Sequence, residues 1–452
     1  MHRLFFQPHE KYRLLLIIGD LVILSGGLAG IAWLGATEKR LFPWELPQAL
    51  AIFGVLLLLT TAVFYILGLY DPTQAKGASQ TLLTLGLGLG LVIILYSALA
   101  YFFIPLRPGK INLVLLISLT FCLTFAWRQL VVTSIHLRPE RLLLVGNDPI
   151  MQDIREILEK SYGQHYTIAG QWHRQTHNPH PPSLHSFVQE QQIDTVVFSV
   201  HSQVARQLSN DLVNIQFANK RVVDAYTFYQ FLTRKYPAYF LDDFWLLINA
   251  RRESFFPAMA ERLKRLMDLG LVLLALPLAL PICLIVSVAI KWDSPGPVLF
   301  IQERLGLNEV PFKLYKFRTM VDNAEALTGP KWSTADDPRI TRVGRILRKL
   351  RLDELPQLLN VLKGDMSIVG PRPIRKHFAD IIDKEVPHYR LRFLAKPGLT
   401  GWAQVNYDYA GSNEGQAEKL QYDLFYLVHQ SLWLDLLIIF KTIKTMVWGK
   451  GI

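Results

Sequence analysis

Cysteine is almost missing from this chain, which has two residues of this type among 452. Because Cys122 and Cys283 both lie inside apolar runs, we expect neither a disulfide-stapled scaffold nor a cysteine-bound zinc site. Charged residues are also scarce, at 19%, whereas 51% of the residues are hydrophobic. This balance excludes a disordered or collagen-like chain. No small-residue cleavage site follows the first apolar run, so a cleaved signal peptide is not expected.

Acidic residues are outnumbered, with 37 Asp and Glu against 48 Lys and Arg, and the formal net charge is +11. Since half of the chain is apolar, the water-exposed part must carry this excess. Such a combination is typical of a membrane protein that faces the cytosol and handles anions. We therefore expect membrane lipid and anionic substrates as partners, and no nucleic acid.

Four hydrophobic runs come first, and each is long enough to cross the ~30 Å hydrocarbon core as a helix. They span Leu14–Trp33, Leu46–Leu69, Leu82–Ile104 and Ile111–Ile135. Lysine and arginine are more frequent in the loops on the side that holds both ends, which places these ends in the cytosol. The sequence therefore predicts a four-helix transmembrane bundle over residues 1–137.

Two charged residues lie inside this bundle, Asp20 in the first run and Arg128 in the fourth. At ~1.5 Å per residue, both would lie roughly 10 Å below the cytosolic face. Two interpretations stay open at this point. Either the two side chains form an intramembrane ion pair that joins the helices, or each extends separately to the interface.

Strands and helices alternate after the bundle. The pattern indicates a buried strand at Arg141–Gly146, a helix at Asp153–Lys160 and a second strand at Ile193–Ser199, and so predicts a Rossmann-like α/β domain over residues 138–252. Gly146 stands alone where a dinucleotide site needs G-x-G-x-x-G. Structural use of this domain, or a relaxed ligand pocket, is therefore favoured over NAD binding.

A fifth apolar run, Leu266–Ile290, is long enough to span the bilayer. Pro277 and Pro281 lie in its middle, where each removes a helical hydrogen bond and favours a kink. Basic residues flank the run on both sides, which argues that the chain enters and leaves on the same face. We therefore predict a re-entrant membrane helix over residues 258–292 that breaks at these prolines, rather than a complete crossing.

Arginine recurs at every third position just before two adjacent carboxylates, at Arg339, Arg342, Arg345, Arg348 and Arg351. This stripe alone is either a solvated or lipid-facing surface, or a phosphate-binding one. Pro356 fits the first turn of a helix, so Asp353 lies near the N-terminus of that helix, where anions are stabilised. Because Asp353 and Glu354 repel each other, they need compensation by Arg348 or by a divalent metal.

Further basic residues lie on either side of this segment. Arg372 is held between Pro371 and Pro373, which limits where its guanidinium can point and suits an anion clamp. Lys316 and Arg318 belong to a stretch that alternates apolar and basic residues, as a half-buried strand with one cationic face does.

Ordered motifs make the segment from Leu263 to Trp448 resemble the bacterial sugar transferase family, the monotopic phosphoglycosyl transferases. The motifs are Lys264-Arg265-x-x-Asp268, Gly296-Pro-Val-Leu-Phe, Lys316-Phe-Arg318-Thr-Met, Leu352-Asp353-Glu354-Leu-Pro-Gln, Val369-Gly-Pro-Arg-Pro and Lys396-Pro-Gly-Leu-Thr-Gly-Trp-Ala-Gln404. The preceding bundle and degenerate Rossmann-like domain resemble the large form of the family, the polyprenyl-phosphate hexose-1-phosphate transferases. The implied fold is an α and α/β membrane protein that ends in a small α/β catalytic domain over residues 293–452.

The resemblance also implies a reaction. Asp353 would attack the β-phosphate of a UDP-sugar and release UMP, and undecaprenyl phosphate would then attack the aspartyl–phosphosugar intermediate. Glu354 would position Mg²⁺ or assist proton transfer, with Asp353 and Glu354 as the candidate metal ligands. The residues expected to hold phosphate oxygens are Arg372, Arg348, Lys316 and Arg318.

The implied setting is the bacterial inner (cytoplasmic) membrane, with the catalytic domain on the cytosolic face, at the first membrane step of exopolysaccharide, capsule or O-antigen repeat-unit synthesis. Glucose or galactose is the favoured sugar, because large-form relatives commonly use them. An N-acetylated amino sugar and a non-catalytic assembly protein of polysaccharide export are the alternatives. A sugar-nucleotide dehydratase is disfavoured, because the glycine fingerprint is missing. A homodimer formed through the N-terminal parts is a further hypothesis.

Overall fold

The computed structural model describes residues 14–27, 46–70, 78–102, 110–134, 139–163, 166–172, 183–199, 208–237, 257–322, 324, 337–407 and 413–447. The chain divides into two compact units, Met1–Leu232 and Thr233–Ile452. The first unit contains apolar helices followed by a parallel sheet, and the second contains a long apolar helix followed by a small α/β assembly.

Four apolar helices come first in the first unit. They are α1 (Leu14–Gly27), α2 (Leu46–Ile66), α3 (Ala78–Phe102) and α4 (Lys110–Ser134). Within α3, Thr81–Tyr101 is long and apolar enough to cross a membrane, whereas the apolar stretches of the other three helices are shorter. The helices lie where the hydrophobic runs predicted them, and four membrane crossings remain a prediction.

Asp20 of α1 and Arg128 of α4 form an ion pair inside the first unit. Nη1 and Nη2 of Arg128 donate to Oδ1 and Oδ2 of Asp20, both over 2.7 Å. The two side chains are only 4% and 1% exposed. The guanidinium also lies 5.2 Å from the ring centre of Phe64 on α2. The paired interpretation is therefore confirmed, and the interpretation with two separately extending side chains is wrong.

A four-stranded parallel sheet follows in the first unit, with strand order β2-β1-β3-β4. The strands are β1 (Glu140–Val145), β2 (Tyr166–Trp172), β3 (Thr195–Phe198) and β4 (Arg221–Asp224), and the helices between and after them are α5 (Pro149–Ser161), α6 (Leu184–Glu190), α7 (Ser209–Phe217) and α8 (Ala225–Thr233). Strand β1 is central, and its last four residues are fully buried, as its apolar run predicts. Gly146 then turns the chain with a positive φ of 122°.

Helix α9, Pro257–Asp293, is 37 residues long and apolar along most of its length. It continues through Pro277 and Pro281, so the predicted break is wrong at the level of the helix. Each proline removes one hydrogen bond, and the bonds of the neighbouring turns suffice to carry the helix past it. Leu274 and Leu278 are more than two-thirds exposed, which fits a lipid-facing helix. Re-entry on one membrane face remains a prediction.

The rest of the second unit is a small α/β assembly. Its elements are β5 (Leu299–Leu305), β6 (Pro311–Phe317), α10 (Arg342–Lys349), α11 (Leu358–Lys363), β7 (Ser367–Val369), α12 (Lys376–Ile382), β8 (Gly398–Thr400), α13 (Trp402–Asn406), α14 (Asn413–His429) and α15 (Leu432–Val447), with 3₁₀ turns at Leu307–Glu309, Leu352–Gln357 and Tyr389–Leu394. The alternating segment forms strand β6, as predicted. It pairs with β5 in an antiparallel hairpin, and β7 pairs with β8 in parallel.

Two polar side chains of α9 fasten it to β7. The Lys264 ammonium donates to Asp435 Oδ2 over 2.8 Å and to the Val369 carbonyl over 3.1 Å, in a buried site. Oδ1 of Asp268 accepts from the Ser367 hydroxyl and the Ile368 amide, each over 3.1 Å. Because these groups are buried and paired, α9 sets the position of β7 and of the chain that leads from it to Arg372.

Candidate active site

Asp353 and Glu354 lie side by side on the 3₁₀ turn Leu352–Gln357, and both residues are 8% exposed. The chain enters this turn through Arg351, whose φ of +56° is left-handed. Asn360, which is fully buried, fastens the following helix to β6. Its Oδ1 accepts from the Tyr315 amide over 3.1 Å, and its Nδ2 donates to the Lys313 carbonyl over 2.7 Å. These bonds hold the carboxylates beside the basic face of β6.

Glu354 is held by two cations. Lys316 Nζ donates to its Oε1 over 2.9 Å, and Arg372 Nη2 donates to the same oxygen over 2.7 Å. Burial opposes the charge of Glu354, but Arg372 and Lys316 outweigh burial and hold its pKa well below the usual range. Burial lowers the pKa of Lys316, although the charge of Glu354 opposes this effect. Glu354 is therefore an ionised and firmly oriented carboxylate.

Asp353 is in a different environment. Among the described residues, its carboxylate accepts no hydrogen bond and takes part in no ion pair. Burial and the neighbouring charge of Glu354 raise its pKa, and Lys316, Arg372 and Arg348 act in the opposite direction. A carboxylate without donors keeps its lone pairs available and is more basic than a paired one. This arrangement suits a nucleophile or a metal ligand.

Arg348 lies on α10, one turn before the carboxylates. Thr341 caps this helix by accepting from the Gly344 amide over 3.0 Å. Nε of Arg348 donates to the Thr319 hydroxyl over 2.9 Å. Burial lowers the pKa of Arg348, whereas the nearby charge of Asp353 raises it. Arg348 is therefore a half-buried cation that acts on Asp353 at a distance.

The predicted arginine stripe serves several purposes. Arg339 pairs with Asp337 over 2.6 Å, and this pairing lowers the pKa of Asp337 to about 2. Arg342 and Arg345 are exposed on α10. Of the five arginines, Arg348 and Arg351 are the ones whose charges act on the two carboxylates.

Arg318 contacts the turn after α9. Its Nη1 donates to the Pro295 carbonyl over 2.5 Å, and its Nη2 donates to the carbonyl and hydroxyl oxygens of Ser294 over 2.8 and 2.9 Å. Gly296 has a φ of +119°, and a Cβ there would lie 1.9 Å from Nη1. The terminal nitrogens of Arg318 thus hold the turn after α9. Bracing this turn is a role that the sequence did not indicate, and the expected phosphate contact of Arg318 remains a prediction, since no described group accepts from its Nε.

Arg372 is presented by a closely packed glycine junction between β7 and β8. A Cβ on Gly370 would lie 2.2 Å from the Lys396 carbonyl oxygen, and one on Gly398 would lie 2.0 Å from the Gly370 nitrogen. A Cβ on Gly401 would lie 2.3 Å from the Gly370 carbonyl oxygen. The two glycine motifs of the sequence therefore form one structure, and this structure aims Arg372 at Glu354.

We expect Gly370→Ala to lower the free energy of unfolding of the second unit by about 1–3 kcal/mol, because backbone atoms must move to admit the methyl group. Gly270→Ala on α9 is the matched control, since a Cβ there meets nothing within 4 Å. The control should leave the thermal midpoint in detergent unchanged or slightly raised. Equal midpoints for both variants would contradict the close junction.

The two carboxylates are the expected ligands of Mg²⁺, and their surroundings show whether they could bind this ion. Among the described residues, no group of three or more His, Cys, Asp or Glu side chains is arranged to hold a metal ion. Mg²⁺, however, is commonly bound through one or two carboxylates together with water and substrate phosphates. Within the same described part, Oε2 of Glu354 and both oxygens of Asp353 accept no hydrogen bond. The two residues therefore fit a Mg²⁺ ion that arrives with a phosphate substrate.

Sequence reasoning missed several groups that support the site. Asn360 stands in an apolar run, and a lone amide there was the one signal of its buried bonds. Arg392 and Asp423 form a buried pair over 2.7 Å behind Arg372. No local pattern links these two residues, because 31 positions separate them.

Comparison with known proteins gives a family for this part of the chain. A family model described as "Bacterial sugar transferase" matches residues 259–449. The UDP-N-acetylgalactosamine-undecaprenyl-phosphate N-acetylgalactosaminephosphotransferase of Aeromonas hydrophila is 48% identical over 189 residues, which cover 42% of this chain and 44% of that protein. The UDP-glucose:undecaprenyl-phosphate glucose-1-phosphate transferase of Caulobacter vibrioides is 42% identical over 206 residues, which cover 44% of this chain and 76% of that protein.

A third relative, the exopolysaccharide production protein PSS of Rhizobium leguminosarum, is 43% identical over 196 residues, which cover 42% of this chain and 98% of that protein. The chain thus spans less than half the length of the Aeromonas protein, but most of the other two. The family match falls inside the second compact unit and includes every residue of the candidate site.

Proposed function

We propose that this chain, which belongs to the bacterial sugar transferase family, transfers a sugar-1-phosphate from a UDP-sugar to undecaprenyl phosphate. The names of the Aeromonas and Caulobacter relatives describe reactions of this kind. The observation that carries the proposal is the contrast between the two carboxylates. Glu354 is fixed by Lys316 and Arg372, whereas Asp353 beside it has no donor among the described residues.

The proposed reaction has two phosphoryl transfers. An oxygen of Asp353 attacks the β-phosphorus of the UDP-sugar, and the bond from this phosphorus to the bridging oxygen breaks. UMP leaves with the bonding electrons, and an aspartyl–phosphosugar remains. A phosphate oxygen of undecaprenyl phosphate then attacks the same phosphorus, which frees the Asp353 carboxylate and gives undecaprenyl diphosphate-linked sugar.

The basic residues supply charge stabilisation for both steps. Phosphoryl transfer depends mainly on positioning and on neutralising the phosphate oxygens. Arg372 offers donors beyond the one on Glu354, and Lys316 and Arg348 add two half-buried charges next to Asp353. Mg²⁺ held by Asp353 and Glu354 would neutralise the diphosphate when bound. Glu354 keeps Lys316 and Arg372 in place, so that within the described part of the chain these two cations donate to Glu354 and not to Asp353.

The sugar and the setting complete the proposal. We favour a hexose, glucose or galactose, and the Caulobacter name supports glucose. The Aeromonas name supports the alternative with an N-acetylated sugar. We propose the cytosolic face of the inner membrane as the setting, and the long apolar helix α9 in the same unit as the basic site supports a membrane location. The Rhizobium name agrees with a role in exopolysaccharide synthesis.

The test is UMP release from a panel of UDP-sugars, measured with purified full-length protein, Mg²⁺ and undecaprenyl phosphate. We expect release that depends on the lipid, is lost on chelation of the metal, and is fastest for one hexose. Fastest release from an N-acetylated donor would replace the hexose assignment. Lack of release from every donor by folded protein would favour the non-catalytic assembly protein.

A further inference from the structure

Lys419 is a basic residue of the second unit for which the reaction above gives no role. It lies half-buried on α14, and within the described part of the chain its ammonium makes no hydrogen bond and no ion pair. Asp423 lies one turn further along the same helix. Residues four positions apart share a helix face, so both side chains project from α14 in the same direction.

This face of α14 points toward the chain that carries Arg372. Asp423 accepts from Nη2 of Arg392 over 2.7 Å, and the two side chains are 2% and 4% exposed. The same nitrogen of Arg392 donates to the Arg372 carbonyl over 3.2 Å. Because Arg372 binds Glu354, a continuous series of contacts joins the surroundings of Lys419 to Glu354, the neighbour of Asp353.

Within the described part of the chain, the carboxylates nearest to Lys419 along this series of contacts already have cationic partners. Asp423 is already paired with Arg392, and Glu354 is already paired with Lys316 and Arg372. The pKa of Lys419 is lowered to about 8, first by burial and then by the charge of Arg392. Arg372 and Arg351 lower it as well, whereas Asp423 raises it. Lys419 is thus a cation without an anionic partner among the described residues, and the charges of three arginines act on it.

An ammonium group kept partly out of water beside three arginines is costly unless an anion joins it. The substrates of the proposed function bring such anions, since both carry phosphate. We propose that Lys419 binds a phosphate oxygen of a substrate, either in the diphosphate of the nucleotide sugar or in the monophosphate of the polyprenyl lipid. This inference rests on the proposed function for the identity of the two phosphates. It makes Lys419 a substrate-binding residue that the motifs did not reveal.

The test compares Lys419→Met, which removes the charge and keeps most of the stem, with Lys419→Arg, which keeps the charge. Lys384→Met is the matched control, because Lys384 is an exposed lysine outside the site. UMP release by full-length protein is measured once with the UDP-sugar varied and once with undecaprenyl phosphate varied. We expect Lys419→Met to raise one of the two KM values by about tenfold or more, and Lys419→Arg to recover most of this loss.

The two substrates identify the phosphate that Lys419 binds. A raised KM for the UDP-sugar assigns the diphosphate, and a raised KM for the lipid assigns the monophosphate. Both KM values within about twofold of wild type would overturn the proposal. Equal losses in Lys419→Met and Lys419→Arg, with lowered thermal midpoints, would also overturn it, since they would show a structural role.

A direct binding measurement separates this inference from the proposed function. UDP is titrated into wild type and Lys419→Met without any lipid acceptor. Weaker UDP binding by the variant would support the inference, by way of the diphosphate, even if wild type released no UMP. The affinity of wild type should also fall between about pH 7 and pH 9, as the ammonium loses its proton. The neighbouring Arg392, Arg372, Arg351 and the paired Asp423 do not change charge in this range, so Lys419→Arg should show a smaller decrease.

Discussion

Asp353→Asn is expected to lower UMP release by about 10³-fold or more, because an amide cannot replace the attacking carboxylate. Two observations support this proposed role: no described group donates to the Asp353 oxygens, and burial and the charge of Glu354 raise the pKa of Asp353. Glu354 is a poorer nucleophile, since Lys316 and Arg372 hold its charge and keep its pKa low. A UDP-sugar labelled in its β-phosphate provides the direct readout. Without lipid acceptor, wild type should retain the label on the protein and Asp353→Asn should not.

Two further variants make this result specific. Asp380→Asn removes a surface carboxylate of the same unit that is 40% exposed and pairs with Lys376 and Arg390. It should label at the wild-type rate, since exposed ion pairs contribute little to stability. Label on Asp353→Asn together with none on Glu354→Gln would exchange the roles of the two carboxylates. Label on both would place the nucleophile elsewhere or remove the covalent step.

The sequence predicted the grouping of charged residues correctly where the chemistry of neighbouring side chains demands it. Adjacent carboxylates need cations, and the structure brings Lys316, Arg372 and Arg348 near them. The chemical roles of these residues remain predictions, but their grouping is a finding. Arg318 shows the limit of pattern reading. It is two positions from Lys316 in the same alternating stretch, yet its terminal nitrogens donate to carbonyl and hydroxyl oxygens of the turn after α9.

Long-range packing explains what sequence reasoning could not reach. Arg392 and Asp423 meet because α14 packs against the 3₁₀ turn at Tyr389–Leu394, and no periodicity predicts that contact. The continuity of α9 was missed for another reason. Prolines weaken a helix locally, but they do not fix whether the helix ends, bends or continues. For Asp20 and Arg128 the sequence reduced the choice to two arrangements, because opposite charges in apolar helices have few stable ones, and the structure shows the ion pair.

The Asp20–Arg128 pair gives the second large prediction. Removing either charge, by Asp20→Asn or Arg128→Gln, should cost about 3–5 kcal/mol, because the remaining partner is left buried and unpaired. Exchanging the residues, Asp20→Arg with Arg128→Asp, should recover a substantial part of this loss. Recovery will be incomplete, since the exchanged guanidinium leaves the ring of Phe64, which lies 5.2 Å from it in the wild type. Thermal midpoints of the full-length protein in nanodiscs measure all three variants.

The comparison with the exchanged protein decides what the pair does. Cys122→Ala is the control on α4, because Cys122 is exposed and this change should leave the midpoint unaltered. If the exchanged protein is no more stable than the single variants, direct charge pairing contributes little and the surroundings of each residue dominate. If it is more stable, the bidentate contact between α1 and α4 sets how these helices pack. A buried pair that matches two helices specifies one arrangement of the bundle, since any rotation of either helix separates the charges in an apolar environment.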